Sequence, residues 1–290
     1  MSDRVDDLDK AYTKALAHEK AGEIDKAAQR YQDCLRLDPA DHGGASVRLA
    51  AMGRGQIPQK APDAYVETLF DQHADQFDDI LTGHLGYAVP MQLANLFQAA
   101  PPAGGLMLDL GCGTGLSGMT LGPWYDSIIG VDISENMIDL ADERAVYDRL
   151  YVNEAVHFLE EWTKARNGRG SENGAKAETQ NGKDFPCFDL IVATDVLPYI
   201  GDLEPLFEGI ANNLAPAGGI AISSETLSEP AFENKDWLVT RGHRFAHSKA
   251  YLTELLGKYG FTRIDNFDAI TVRTEEGIPV PGWLVVAWKR

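Results

Sequence analysis

The stretch that decides the fold is GGLMLDLGCGTGLSG, Gly104 to Gly118. A short apolar run, Leu106–Leu110, carries one acid, Asp109, and opens into a turn in which Gly111, Gly113, Gly115 and Gly118 fall close together. An apolar run of this length followed at once by glycines reads as a buried strand feeding a tight strand-to-helix turn. Glycines there let a backbone come close to a ligand, and the following helix offers free N–H groups. Two nucleotide-binding signatures nest in the stretch. Gly113-Thr-Gly115-Leu-Ser-Gly118 matches the dinucleotide fingerprint. Asp109-Leu-Gly111-Cys-Gly113-Thr-Gly115 matches a different pattern, in which an acid ends the strand and three alternate glycines make the turn. The two differ in ligand charge. A pyrophosphate seeks a helix N-terminus without a neighbouring anion, whereas Asp109 favours a ligand carrying ammonium and sulfonium groups.

Outward from this stretch, strand-like and helical segments alternate. Strands are expected at Leu106–Leu110, Ser127–Val131, Leu150–Asn153, Phe188–Thr194 and Gly219–Ser223, with helical patterns between them. That alternation implies βαβ units, a parallel sheet and helices on both faces. The tail, FTRIDNFDAITVRTEEGIPVPGWLVVAWKR, holds two strand-like runs around EEGIPVPG and predicts an antiparallel hairpin on one edge. Lys164–Asp184 is rich in Gly, Asn, Lys and Ser, which predicts a mobile insert.

Ahead of the glycine turn lie two other regions. Leu8–Asp41 has two helix-period stretches around Gly22, with Ala27, Tyr31, Cys34 and Pro39 at the packing and closing positions of a tetratricopeptide unit, although the usual tryptophan is missing. Such units need about three copies to stand alone, so one and a half copies should pack on something else, either the main domain or a partner. A plain amphipathic hairpin fits the same pattern. GRGQIPQKAPD then marks a linker. The resulting division is a helical segment over 1–55, a helical lid or linker over 56–100, and an α/β domain over 101–290.

The chain has 290 residues, 44% of them hydrophobic, and a formal net charge of −18. That charge opposes binding to phosphate backbones and anionic membrane surfaces. Cys34, Cys112 and Cys187 lie far apart with no CxxC pair, which speaks against a disulfide framework or zinc cluster and for a reducing compartment. The charged MSDRVDDLDK start has no apolar signal core, and no apolar run reaches the roughly 20 residues of a membrane span. A cytoplasmic protein without a membrane or nucleic-acid partner is expected.

From Gly105 onward the chain resembles class I S-adenosylmethionine-dependent methyltransferases. LDLGCGTGL looks like that family's first motif, IIGVDISENMIDLADER its second strand and helix, LYVNEAVHFLEE its third strand region, and Pro216-Ala217-Gly218-Gly219 its turn into the fifth strand. More closely, YVETLFDQHADQFDDILTGHLGY and RFAHSKAYL are similar to stretches of a bacterial group that carries an N-terminal tetratricopeptide segment. The resemblance implies a doubly wound, mostly parallel seven-stranded sheet with a reversed C-terminal strand, and S-adenosylmethionine as cofactor. It implies that Asp132 meets both ribose hydroxyls and Glu154 the adenine amino group. The wider set of expected cofactor contacts is Asp109, Gly111, Cys112, Gly113, Gly115, Ile133, Met137, Ala155 and, at the carboxyl end of the fourth strand, Asp195, with Tyr65 and Phe77 from an aromatic lid that also includes Phe70 and Tyr87.

Blander roles stand beside these. Glu154 is equally suited to start a helix, Asp195 and Glu225 to be turn and strand-end residues, Cys112 to small-residue packing, and the aromatics to ordinary helix-face core. TRGHRFAHS clusters Arg241, Arg244, His243 and His247 in an otherwise acidic chain. It predicts an anion-recognising wall for a carboxylate acceptor, with Arg244 and His247 against the substrate and His247 or His73 as base. Glu225 and Tyr199 are further expected substrate contacts, and Asp195 is a further catalytic candidate. Methyl transfer from a sulfonium demands no metal. The expected function is methyl transfer to a small-molecule acceptor, at oxygen or nitrogen. The alternatives are a cofactor-binding assembly protein or a protein methyltransferase that docks partners through the helical segment, with an NAD-binding oxidoreductase behind them.

Overall fold

A computed structural model describes residues 2–74, 78, 83, 85–168 and 185–289. The inner parallel strands are apolar runs because both faces of the sheet are covered there, whereas the edge strand Arg149–Val152 is exposed at both ends. The parallel strands are β1 (Leu106–Leu110), β2 (Ser127–Asp132), β3 (Arg149–Val152), β4 (Phe188–Ala193) and β5 (Leu214–Glu225), in the order β3-β2-β1-β4-β5. Beyond β5 the direction reverses. β9 (Ile278–Lys289) pairs antiparallel with β5 and also with β8 (Phe261–Glu275). The doubly wound fold with a reversed C-terminal strand is thus as expected, with two differences. Among the described residues the sheet has nine strands rather than seven. The added pair, β6 (Trp237–Val239) and β7 (Phe245–His247), is a short hairpin joined to β5 only where Glu225 meets Ala246. The expected Pro216–Gly219 turn lies inside β5, where Ala217 takes φ 63° and the register against β4 shifts.

Two apolar layers sandwich the sheet. On one face, α8 (Ala155–Arg166), α9 (Glu204–Asn213) and α10 (Lys249–Lys258) bury Phe158, Trp162, Phe207, Ile210 and Leu255. On the other, α5 (Val89–Ala99) and α6 (Leu116–Leu121) bury Leu93, Phe97 and Leu121. Between them in sequence, α7 (Glu135–Glu143) packs Ile138 and Ala141 against Cys112. α8 runs to Arg166, so the expected insert begins later than Lys164, and residues 169–184 of it lie outside the described residues.

The N-terminal helices α1 (Ser2–Lys20) and α2 (Ile24–Leu37) form a hairpin about Gly22 and close on α3 (Ala45–Ala51) around a core of Ala15, Ala27, Tyr31, Cys34 and Leu49. The hairpin docks on the sheet domain. Glu19 accepts from Tyr31 Oη at 2.5 Å and Arg48 Nη1 at 3.0 Å, and its Oε1 lies 3.0 Å from His243 Nε2, in the loop between β6 and β7. The connecting segment is pinned as well. Gly201 and Asp202 donate to the Gln59 carbonyl, and Ala61 N donates to the Tyr199 carbonyl at 2.8 Å. Helix α4 (Asp63–His73) follows. Among the described residues, no helix is long and apolar enough to cross a membrane.

Candidate active site

Strand order reverses between β1 and β4, and there the C-terminal ends of neighbouring strands diverge into a crevice. A cleft of about 920 Å3, its open mouth included, occupies this place. Its floor is the turn after β1, Gly111, Cys112 and Gly113, with Asp132 and Ile133 from the end of β2. Asn153, Glu154 and Ala155 close one side. Thr194, Asp195, Val196 and Tyr199, from the segment after β4, close the other.

The turn is built by Asp132. Its Oδ2 accepts from Gly113 N and its Oδ1 from Ser134 N, both at 2.9 Å. Burial pushes the Asp132 carboxyl up to about 6 despite these bonds, and among the described residues no cation pairs with it. Ser134 is the N-cap of α7, accepting from Met137 N, which leaves Asp132 free of that duty. Glu154 does both jobs: it lines the cleft and caps α8 by accepting from His157 N at 2.8 Å. Gly111 has φ 64°, and a Cβ there would lie 2.4 Å from Val196 Cγ2, so only glycine lets the turn and the post-β4 segment close on one another.

From above, Val66 and Phe70 of α4 and Tyr87 line the cleft. Polar latches hold this cover. Ser134 Oγ donates to Asp71 Oδ1 at 2.5 Å, Thr114 Oγ1 donates to Asp78 Oδ1 at 2.6 Å, and Arg144 pairs with Asp78. Lys60, Asp63, Pro90, Leu116 and Ser117 also line the cleft, and sequence reasoning did not select them. No spacing signal marks them, because they arrive from the linker and from the first turns of other helices.

Several expected site residues stand elsewhere. Asp109 is fully buried beneath the turn, where Tyr147 Oη donates to its Oδ2 at 2.8 Å and its Oδ1 has no partner. Burial raises its carboxyl to about 7, so it is no open anion facing a ligand. Tyr147 also explains Gly118: a Cβ there would lie 2.4 Å from the Tyr147 hydroxyl oxygen. Gly115 starts α6 with φ 96° and Met137 is buried in α7; neither lines the cleft. Tyr65 packs against Gly44 of the N-terminal segment instead of covering the cleft.

His247 is corrected as a base and as a substrate contact. It is fully buried, its Nδ1 lies 2.8 Å from Ser224 Oγ and its Nε2 2.8 Å from the Ile200 carbonyl. Burial lowers it to about 4, so both nitrogens are spent inside the protein. Arg244 is corrected as an open wall for anions, and Glu225 as a substrate contact. Arg244 is consumed by Asp195 and Glu225, and Glu225 is buried against Arg273. His73 lies in α4, Phe77 lies outside the described residues, and no side-chain geometry of His73 belongs to them.

Among the described residues, the cleft is therefore lined by four carboxylates, Asp63, Asp132, Glu154 and Asp195, and one ammonium, Lys60. Lys60 is itself shared between Asp63 at 2.7 Å and Glu154 at 3.6 Å. A net anionic lining opposes a pyrophosphate and suits a ligand with positive charge. Residues 62–266 match a family model described as a methyltransferase domain.

The chain belongs to the methyltransferase domain family.

This methyltransferase domain is 27% identical over 135 residues to the ubiquinone biosynthesis O-methyltransferase of Coxiella burnetii, covering 47% of this chain and 50% of that one. It is 29% identical over 161 residues to phosphoethanolamine N-methyltransferase 1 of Arabidopsis thaliana, covering 54% and 29%. The chain thus spans half or less of the length of these curated relatives. Among solved structures, the DhpI-SAM-HEP complex superimposes with a TM-score of 0.50 at 17% identity, covering 76% of this chain and 94% of that one. That likeness concerns the fold.

Proposed function

We propose that the chain is an S-adenosylmethionine-dependent methyltransferase acting on a small molecule at nitrogen or oxygen. The observation that carries this is the anionic cleft at the β1/β4 switch, floored by a glycine turn that the Asp132 carboxylate holds. The residues fit the cofactor. Asp132 offers its carboxylate, raised by burial and short of a cation, to ribose hydroxyls and a cationic ligand. Asn153, Glu154, Ala155 and Ile133 offer a polar and apolar edge for adenine, and Gly111–Gly113 offer backbone close to the ligand. When bound, the cofactor supplies an electrophilic methyl group on a sulfonium, which leaves as a neutral thioether when an acceptor lone pair takes the methyl.

The chain's own work is then mainly orientation, which supplies up to roughly 7–11 kcal/mol in well-aligned cases. Val66, Phe70 and Tyr87 exclude water from above, and the Asp71 and Asp78 latches keep them there. Arg244 does not serve a carboxylate acceptor, since its guanidinium is already paired. The division into a tetratricopeptide-like segment over 1–55, a cover over 56–100 and a cofactor domain over 101–290, in a cytoplasmic protein, remains part of this proposal.

Thermal melting with S-adenosylmethionine and S-adenosylhomocysteine tests it. Binding to the native state alone raises the melting temperature with ligand concentration. An unchanged midpoint up to millimolar concentrations of both overturns the proposal.

A further inference from the structure

One end of the cleft rests on a buried set of charges gathered from distant parts of the chain. Arg244 Nη2 donates to Asp195 Oδ1 at 2.5 Å, and Nη1 donates to the Tyr199 hydroxyl at 2.7 Å. The Arg244 guanidinium carbon sits 4.6 Å from the centre of the Tyr199 ring. Its Nε lies 2.7 Å from Glu225 Oε1, an ionic contact without hydrogen-bond alignment. Arg273 Nη1 donates to the same Glu225 oxygen at 2.7 Å and lies 3.7 Å from Asp195 Oδ1. Arg273 and Glu225 are only 2% and 3% exposed.

Two guanidiniums face three carboxylates in this set: Asp195, Glu225 and the half-exposed Glu275, which accepts from Arg273 Nε and Nη2 at 2.8 and 2.6 Å. The charges thus balance within the buried part, and the surplus carboxylate lies toward solvent. Only Asp195 and its neighbour Tyr199 reach the cleft; Arg244, Glu225 and Arg273 do not line it. The cations are thus turned inward, and the member offered to a ligand is a carboxylate. That carboxylate is also fixed through its backbone. Asp195 has φ 60°, in the left-handed region that Asp and Asn tolerate better than other side chains. Its N–H donates to Ser223 Oγ at 3.0 Å. An ionised carboxylate only accepts hydrogen bonds and has room for several. Arg244 fills one position on Oδ1, and the rest is available to a ligand group that carries a proton.

We propose that Asp195, held by Arg244 and the Glu225–Arg273 pair behind it, is the specificity-determining contact for the methyl acceptor. It selects compounds whose methylated atom is an amine or hydroxyl bearing a proton, and rejects carboxylates by like-charge repulsion. Arg244 is the positioning residue. This inference rests on the cofactor proposal and narrows its acceptor class.

Sinefungin, the cofactor analogue in which an amine-bearing carbon replaces the methylated sulfonium, is the probe, with S-adenosylhomocysteine as reference. Calorimetric titration of the full chain gives the ratio of their dissociation constants, and that ratio is the readout. A hydrogen bond to a charged group is worth roughly a ten- to hundredfold change in affinity. Wild type is expected to prefer sinefungin at least tenfold, and Asp195→Asn, nearly isosteric and suited to the same backbone conformation, to lose most of that preference. Equal wild-type affinities overturn the inference without any variant, and so does an Asp195→Asn protein that keeps the preference. Failure of both ligands to bind wild type overturns the cofactor proposal itself, and this inference with it.

Discussion

Asp109→Asn removes a titration that the fold makes costly. The carboxyl is fully buried, takes one hydrogen bond from Tyr147 Oη at 2.8 Å, and leaves Oδ1 without a partner. Its ionisation moves from 3.8 to about 7, chiefly because burial penalises the charged form. In the unfolded chain the group ionises near its ordinary value, so between about pH 4 and 7 the unfolded state loses a proton that the native state keeps. The contribution is therefore fully present below about pH 4 and is lost as pH rises through about 7. The displacement corresponds to roughly 4 kcal/mol. Asparagine keeps the shape and an acceptor for Tyr147 but does not ionise. Urea unfolding of both proteins between pH 4.5 and 8 checks this. The stability difference, variant minus wild type, is expected to rise by about 2–4 kcal/mol across that range. Asp132 titrates in both proteins, so its effect largely cancels in the difference. Parallel curves would refute the reasoning, because they would mean that Asp109 ionises in the native state as easily as in the unfolded one.

Three further outcomes follow from the packing. Gly111→Ala, at φ 64° with Val196 Cγ2 2.4 Å from the new Cβ, should lose roughly 2–3 kcal/mol of stability and at least tenfold in affinity for S-adenosylhomocysteine; an unaffected melting curve contradicts the clash. His247→Ala should cost about 2–4 kcal/mol in urea unfolding, since it empties a fully buried site and strands the Ser224 and Ile200 partners. Because His247 is depressed from 6.5 to about 4, its contribution is present above pH 6.5 and fades as pH falls toward 4, so this variant should show a shallower acid loss than wild type. Glu19→Ala should speed amide exchange in β6 and β7 by releasing His243, and exchange rates matching wild type there would show that the helical hairpin does not brace them.

What the sequence reveals follows the range of the forces involved. β1, β2 and β4 were legible because burial on both faces writes an uninterrupted apolar run into the chain. Gly22 was legible because turns are local. The β6–β7 hairpin was not, since strands of three residues carry no period and are held by β5 and by Glu19 from the far end of the chain. Arg244 and His247 were misassigned for a related reason. Sequence displays a charge but not its counter-charge, and Arg244 finds its own in Asp195 and Glu225. Asp109 looked like a ligand contact because its neighbours are glycines, and only the fold brings Tyr147 over it. Asp132 and Glu154 were legible as residues of the cleft, together with the turn that Asp132 pins.

The central claim is that the anionic cleft at the β1/β4 switch takes an adenosyl sulfonium and refuses a dinucleotide. Calorimetric titration of the purified chain with S-adenosylmethionine, and separately with NADH, tests it most directly. The account predicts one saturable site for S-adenosylmethionine, weakened at least tenfold by Asp132→Ala, and no heat with NADH. Saturation by NADH with no heat from S-adenosylmethionine would contradict it.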